Sequence, residues 1–407
     1  MPITVLGGTK LADTGYEVAN SCRFNDGDSS LISRTIGTPT NDKKWTFSAW
    51  VKRCTSGAQQ ILFEGFGNGA NYDIIELGSS DQLKYKSVSS SAESANQTTN
   101  QLFRDPSAWY HIVVAHDSTQ ASAGNRLKIY VNGAQITSLA TDTQMPENHA
   151  NHMNVANEHN LAASKGAGGG SLAAYFDGYL AEVVFIDGTQ YAATDFGEYN
   201  EDSPNMWQPK DVSGLTFGDN GFYLDFEASD NLGNDVNGGT DLTAVSLAAT
   251  DQSTDTPTNN FATLNPLYKG SAGATTFSEG NLKFHETNSP SESSPGASTI
   301  AVANGKWYWE VYCEEDEAED KFWIGASTVE SAQNVLTGAG VAHLWGLRTG
   351  VTGVALYNDV VYRNAGGSYT EVLTAGLTSG AASDGDIIKM AIDLDNGKVW
   401  FGKNDEW

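Results

Sequence analysis

The chain has 407 residues, enough for two or three domains with sizeable cores. It carries 50 acidic residues against 23 basic ones, a net charge of −27 that is spread along the sequence rather than gathered in a tail. Such a surface repels nucleic-acid phosphates and anionic membranes, so neither is expected as a partner, and it stays soluble in salty water, which fits a marine or extracellular setting.

The 43 glycines, with many Ser, Thr, Asn and Asp between short runs of Val, Ile, Phe, Tyr and Trp, predict an all-β protein with many turns. No helical apolar period is sustained over three turns; the best stretch, 195–207, is broken by Gly197 and Pro204. No basic-then-apolar leader and no membrane-length apolar run is present, so membrane insertion is not expected. The three cysteines, Cys22, Cys54 and Cys313, are too few and too widely spaced for a disulfide framework or a C-x-x-C site. They are expected as small buried side chains or free thiols, with a Cys22–Cys54 bridge as the alternative.

In chain order, residues 1–15 form a lead segment, too short for a shaft and suited to an attachment arm. Alternating strands are then predicted at 18–24, 31–36, 45–52 (WTFSAWVK), 60–64, 72–77, 83–88, 109–116 (WYHIVVAH) and 126–131, the last closed by Asn132-Gly133. A loop rich in Asn, His, Ala and Gly follows at 146–170, and then the strand 176–186 (FDGYLAEVVFI). The motifs WTFSAWVK, WYHI, LKIYVNG and GYLAEVVF occur in the order seen in laminin G-like, concanavalin A-type jelly rolls, a resemblance covering residues 16–228. Residues 229–258 are rich in Asp, Asn, Gly and Thr and are expected as a linker.

Beyond it, Gly305 to Glu310 (GKWYWE) is an aromatic strand opened by a turn glycine. About 80 residues later, two strands at 387–394 and 398–402 are joined by Asp-Asn-Gly. Together with FWIGA at 322–326 and GVALYNDVVY at 353–362, they resemble a SPRY domain over 259–407, one whose usual final strands are not in the sequence. The fold expected is therefore two β-sandwich domains in tandem. The pairing, with its joining segments, resembles tail fibre or host-adhesion proteins of marine bacteriophages. That resemblance implies a virion location, other virion proteins as partners, a homo-oligomer such as a trimer, and a host-surface glycan or receptor as ligand. A capsid or tail decoration protein is the alternative, and a glycan-degrading enzyme on the same fold is the third and least favoured class.

Glu314, Asp316 and Glu319 stand at the E-x-D-x-x-E spacing of laminarinase-type hydrolases. Their neighbours Glu315, Glu317 and Ala318 lack the apolar frame that would hold such carboxylates in register, so no enzyme is expected. Asp225 and Glu227 alternate with Leu224 and Phe226 and are expected on one strand face with Tyr223. His149, His152 and His159 fall in the long loop, at a spacing that is no known zinc pattern, and are expected as ligand-contacting or interface residues. Tyr357, Asn358 and Arg363 mark a second such surface in the SPRY-like hairpin. Trp109, Trp207 and Trp345, flanked by turn or small residues, are candidates for exposed stacking. Laminin G-like folds imply calcium, and the densest oxygen cluster of that region is Asn25, Asp26 and Asp28.

Overall fold

The computed structural model describes residues 9–10, 15–149, 151–269, 275–286, 296–314, 323–328, 352–357, 360–365, 369–374 and 383–407. The protein is all-β: among the described residues the only helical pieces are 3-10 turns of three residues, and no helix is long and apolar enough to cross a membrane. The chain divides into two compact units, one spanning Lys10–Asn260 and the other comprising Phe261–Trp407 together with Met1–Thr9.

The first unit is a sandwich of two antiparallel sheets. One runs in the order Ala134–Gln135, Leu127–Val131, Tyr110–Asp117, Lys44–Arg53, Gly178–Asp187, Ser21–Phe24, Gln252–Ser253, with Phe222–Leu224 also pairing Gly178–Asp187. The other runs Leu139–Thr143, Ala92–Leu102, Gln82–Ser89, Asn71–Leu77, Gln60–Asn68, Glu158–Leu161, Leu31–Thr35, Thr243–Val245. Strand alternation decides what fills the space between them. Trp45, Phe47, Ala49 and Val51 of WTFSAWVK point inward and meet Phe63, Ile75, Leu83 and Tyr85 of the facing sheet. Phe47 stacks on Phe63 with ring centroids 5.0 Å apart, and Phe185 and Phe222 complete the stack.

The outward face of the first sheet is covered as well. Trp50, Trp109, Tyr179, Val184, Trp207, Phe217 and Tyr223 form a second apolar layer there. The loops between 188 and 223 fold back over the sheet to build it. Trp109 and Trp207 are therefore buried rather than available for stacking: Trp207 donates its indole N–H to His111 and Trp109 donates to Asp255. Trp345 lies outside the described residues.

The segment 229–258 is not a linker. Thr243–Val245 adds a strand beside Leu31–Thr35, and Gln252–Ser253 adds one beside Ser21–Phe24. Lys52, whose side chain is fully buried, places its ammonium 2.6 Å from Asp255 and 2.8 Å from the Asn260 side chain, over the Tyr179 ring. Composition marks this stretch as loop, but its polar side chains bond to the body of the sandwich instead of to water.

All three cysteines are buried free thiols, and burial raises the pKa of Cys22 and Cys54. In the second unit the aromatic strand Lys306–Tyr312 pairs with Ile387–Asp393, which pairs with Lys398–Lys403, so the two motifs separated in sequence are neighbours. A four-stranded sheet runs Trp323–Ser327, Thr352–Tyr357, Val360–Ala365, Tyr369–Thr374. Leu356, Val361, Ile388, Met390 and Phe401 form the unit's core.

Candidate functional site

One end of the first sandwich gathers four connections: the turns after Asn68 and Ser89, the stretch 145–157, and the stretch 164–175. The Ser91 N–H donates to the Ala70 carbonyl at 2.8 Å and the Ser90 N–H to Asn71 Oδ1 at 2.9 Å, which ties the two turns together. Ser90, Ser91 and Asn148 adopt positive φ, the left-handed backbone that tight turns require. A Cβ built on Gly69 would meet the Gly169 carbonyl at 3.4 Å, so the glycine-rich turn lies against the first hairpin.

Two buried carboxylates hold this end in shape. Asp73, fully buried on Asn71–Leu77, accepts the backbone N–H groups of His152 at 2.7 Å and Met153 at 3.1 Å. Burial pushes its pKa up, while Ser87 and the neighbouring histidines pull the other way. Glu64 accepts from Asn160 at 2.8 Å, from the Ser164 hydroxyl, and from the backbone N–H groups of Lys165 at 2.9 Å and Gly166 at 2.7 Å. Burial raises its pKa too, and those four donors offset part of the rise. Both side chains pin loops, Glu64 with both oxygens and Asp73 through Oδ2 alone.

Over this base, His149 Nε2 lies 3.1 Å from Ser87 Oγ and 3.2 Å from Ser94 Oγ, and His152 Nε2 lies 3.4 Å from Ser89 Oγ. Burial lowers the His149 pKa, and the Asp73 carboxylate opposes part of that shift. The resulting rim of Asn68, Asn71, Ser89, Ser91, Ser94, His149 and His152 offers hydrogen-bond donors and acceptors on a fixed frame. That chemistry suits a ligand rich in hydroxyl groups. Gly65 sets how closely the histidine loop seats: a Cβ there would meet the His152 carbonyl oxygen at 2.1 Å. Gly65→Ala is expected to destabilise the first unit by roughly 1–3 kcal/mol through overpacking. A thermal midpoint within about 1 °C of the parent would show that the loop is not seated there.

The residues expected at a site fare unevenly. His149 and His152 come together, but His159 does not join them. It lies on Glu158–Leu161 with its ring packed between Phe63 and Phe185 and its Nε2 at the Met153 carbonyl, and burial drops its pKa to about 4. It is a core histidine. Tyr357 and Arg363 lie on the paired strands Thr352–Tyr357 and Val360–Ala365, with Arg363 exposed, and Asn358 lies outside the described residues. Glu314 is exposed and ion-paired with Lys283 at 2.7 Å, which draws its pKa down; Asp316 and Glu319 lie outside the described residues. The strand expected to carry Asp225 and Glu227 ends at Leu224, because Phe226 turns to φ +60 and buries its ring, while Asp225 caps the Glu227 N–H.

The calcium expectation meets a closed turn. Asn25 Oδ1 accepts the Gly27 N–H at 3.2 Å, and the Asn25 amide nitrogen donates to Asp28 at 2.9 Å, capping the 3-10 turn 26–28. The Asn25 and Asp28 side chains are thus engaged with the turn itself. Among the described residues no group of three or more His, Cys, Asp or Glu is arranged to hold a metal.

Sequence patterning missed the partners that shape the rim, although it held a usable signal. Asp73 and Glu64 each interrupt an otherwise apolar strand (NYDIIEL, ILFEGF), and each is buried with its own set of donors.

Residues 25–193 match the family described as the concanavalin A-like lectin/glucanases superfamily. Among solved structures, domains LG4-5 of the mouse laminin alpha1 chain share 10% identity, with 97% of this chain and 80% of that one covered and a TM-score of 0.33. A carbohydrate binding protein from Bacteroides ovatus, described as putative, shares 15% identity over 56% of this chain and 58% of its own, with a TM-score of 0.37. The CBM40 of the Ruminococcus gnavus IT-sialidase shares 13% identity over 40% and 93%, with a TM-score of 0.28. At these scores the solved structures assign no function here. No curated protein matches the chain. Residues 25–193 are thus similar to that family, in keeping with the four strand motifs in order and the sandwich of two sheets in the first unit.

Proposed function

We propose that this is a non-enzymatic structural and binding protein of a bacteriophage particle, a tail fibre or adhesin whose first unit binds a host-surface glycan through the His149–His152 rim. The observation that carries the reading is the rim itself: Ser, Asn and His side chains stand at one end of a sandwich similar to the lectin-type family, with the carboxylates behind them engaged to backbone amides. A hydrolase of this superfamily needs a proton donor and a second carboxylate facing substrate, and Asp73 and Glu64 are instead turned to their loops. The SPRY-like second unit adds a further binding module. A homo-oligomer on a symmetric particle would multiply a weak single-site affinity into firm attachment.

The test is binding of the purified protein to host-cell surface polysaccharide, compared with the His149→Ala, His152→Ala double variant. Two lost hydrogen-bonding groups should weaken binding by on the order of tenfold each, with the thermal midpoint held. Equal binding by parent and double variant would remove the rim from the reading. Labelling of intact particles adds the location: a distal tail position is expected, and a capsid-lattice position would turn the reading to a decoration protein.

A further inference from the structure

On the outer face of the first sheet, an amine, a carboxylate and an amide are packed together out of water. Lys52 stands on the central strand Lys44–Arg53 with no exposed surface, and its Nζ lies 2.6 Å from Asp255 Oδ2 and 2.8 Å from Asn260 Oδ1. The Asp255 side chain is 6% exposed, and its other oxygen accepts the Trp109 indole N–H at 3.0 Å. The Tyr179 ring flanks the group, 5.9 Å from Nζ. The Asn260 amide is held in one orientation, since its oxygen accepts from Lys52 and its nitrogen donates to the Ser107 carbonyl at 2.8 Å. A C=O bond is about 1.2 Å long, so Nζ stands within about 4 Å of the amide carbon. A small shift brings the two atoms to the roughly 3–3.5 Å from which bonds form.

We propose that Lys52 and Asn260 join in an intramolecular amide bond, with Asp255 as the proton carrier. Passing one proton from Nζ to Asp255 along their 2.6 Å contact turns a buried ion pair into a neutral amine and a neutral acid, removing two charges from a place where they are costly to keep. The freed lone pair attacks Asn260 Cγ, and the carbonyl π electrons move onto Oδ1 as the new C–N bond forms. Asp255 hands its proton to the amide nitrogen and takes a second one from Lys52. When the carbonyl re-forms, the old C–N bond breaks and its electron pair leaves with that nitrogen. Lys52 gives up two protons in all, both of which depart with the nitrogen as ammonium, and Asp255 ends ionised as it began. The amide carbon is a better electrophile than a carboxylate carbon, which singles out Asn260 over Asp255 as the group attacked.

The bond joins positions 208 residues apart, the central strand of the sheet and the last residue of the first unit. A crosslink restricts the unfolded chain, and it restricts most where the loop it closes is longest. Until the bond forms, the ion pair and the hydrogen bonds described above hold the same seam.

The experiment is intact mass spectrometry of the full chain, denatured on isolation and after incubation in the folded state, followed by peptide mapping. A species lighter by about 17 Da, the mass of ammonia, should be present or accumulate, and its digest should contain a branched peptide joining the Lys52 and Asn260 fragments. Asn260→Ala keeps the ion pair with Asp255, so it should fold and show neither the lighter species nor the branched peptide. Asp255→Asn keeps an oxygen for Trp109 but cannot carry the proton, and it should show neither as well; should that variant fold poorly, Asn260→Ala decides. Separate Lys52 and Asn260 peptides in the incubated parent overturn the proposal, as does the same loss of mass from Asn260→Ala. A loss of about 18 Da with Lys52 joined to Asp255 overturns the choice of Asn260.

Discussion

Replacing Asp255 with Ala should lower the thermal midpoint of the first unit by about 10 °C or more. Lys52 has no exposed surface, and its ammonium rests on Asp255 and Asn260 over the Tyr179 ring. Removing the carboxylate leaves that charge buried, a loss of roughly 3–5 kcal/mol, and it strips the Trp109 indole of its acceptor as well. At about 2–4 °C per kcal/mol for a domain of this size, the shift is plain in a melting curve. The paired change Lys52→Met with Asp255→Asn removes both charges and keeps an oxygen for Trp109, so it should recover most of the loss. If Asp255→Ala melted with the parent, the 229–258 segment would be a loose connection after all.

Glu64→Ala should have a comparable effect, concentrated at the rim. It orphans the Asn160 amide, the Ser164 hydroxyl and the N–H groups of Lys165 and Gly166, four donors that lie inside the sandwich end. A buried donor left without a partner costs roughly 1–3 kcal/mol, and water entering the vacated space would return part of the sum. A loss of several kcal/mol is expected, together with faster protease cleavage between 164 and 175, while the opposite end of the sandwich keeps its protection. Uniform destabilisation without local cleavage would mean that Glu64 supports the sheet rather than the loop.

The strands that sequence patterning finds are those whose two faces differ. In WTFSAWVK, alternation separates core from cover, and the strand appears at Lys44–Arg53. Ala92–Leu102 escapes notice because the residues AESANQTTNQL buries, Ala95 to Thr99, are polar apart from Ala95, so no apolar period is written into it. Glu158–Leu161 escapes for another reason: four residues with one aliphatic side chain become a central strand only because Gln60–Asn68 and Leu31–Thr35 flank them. The long histidine loop could be located, because composition marks it. Its working partners could not, since Asp73, Ser87 and Ser94 reach it from strands more than fifty positions away. His159 misleads for the same reason: its sequence neighbours are polar, and the rings that enclose it come from elsewhere.

The way the first unit closes also constrains how it is made. The Ser21 hydroxyl bonds the Asp255 carbonyl, 234 residues later, and the strands Ser21–Phe24 and Leu31–Thr35 each take a neighbour from the 243–253 stretch. Neither sheet is complete until that stretch has left the ribosome, after roughly some tens of seconds at typical synthesis rates. Until then Cys22, Phe24 and Ile32, all fully buried in the finished sandwich, sit on strands that lack an outer partner. Such dominance of distant pairings slows folding. The acidity of the chain acts on the same interval: unfinished copies repel one another while their strand edges are open, so the charge that keeps the folded protein dispersed also guards it during the wait.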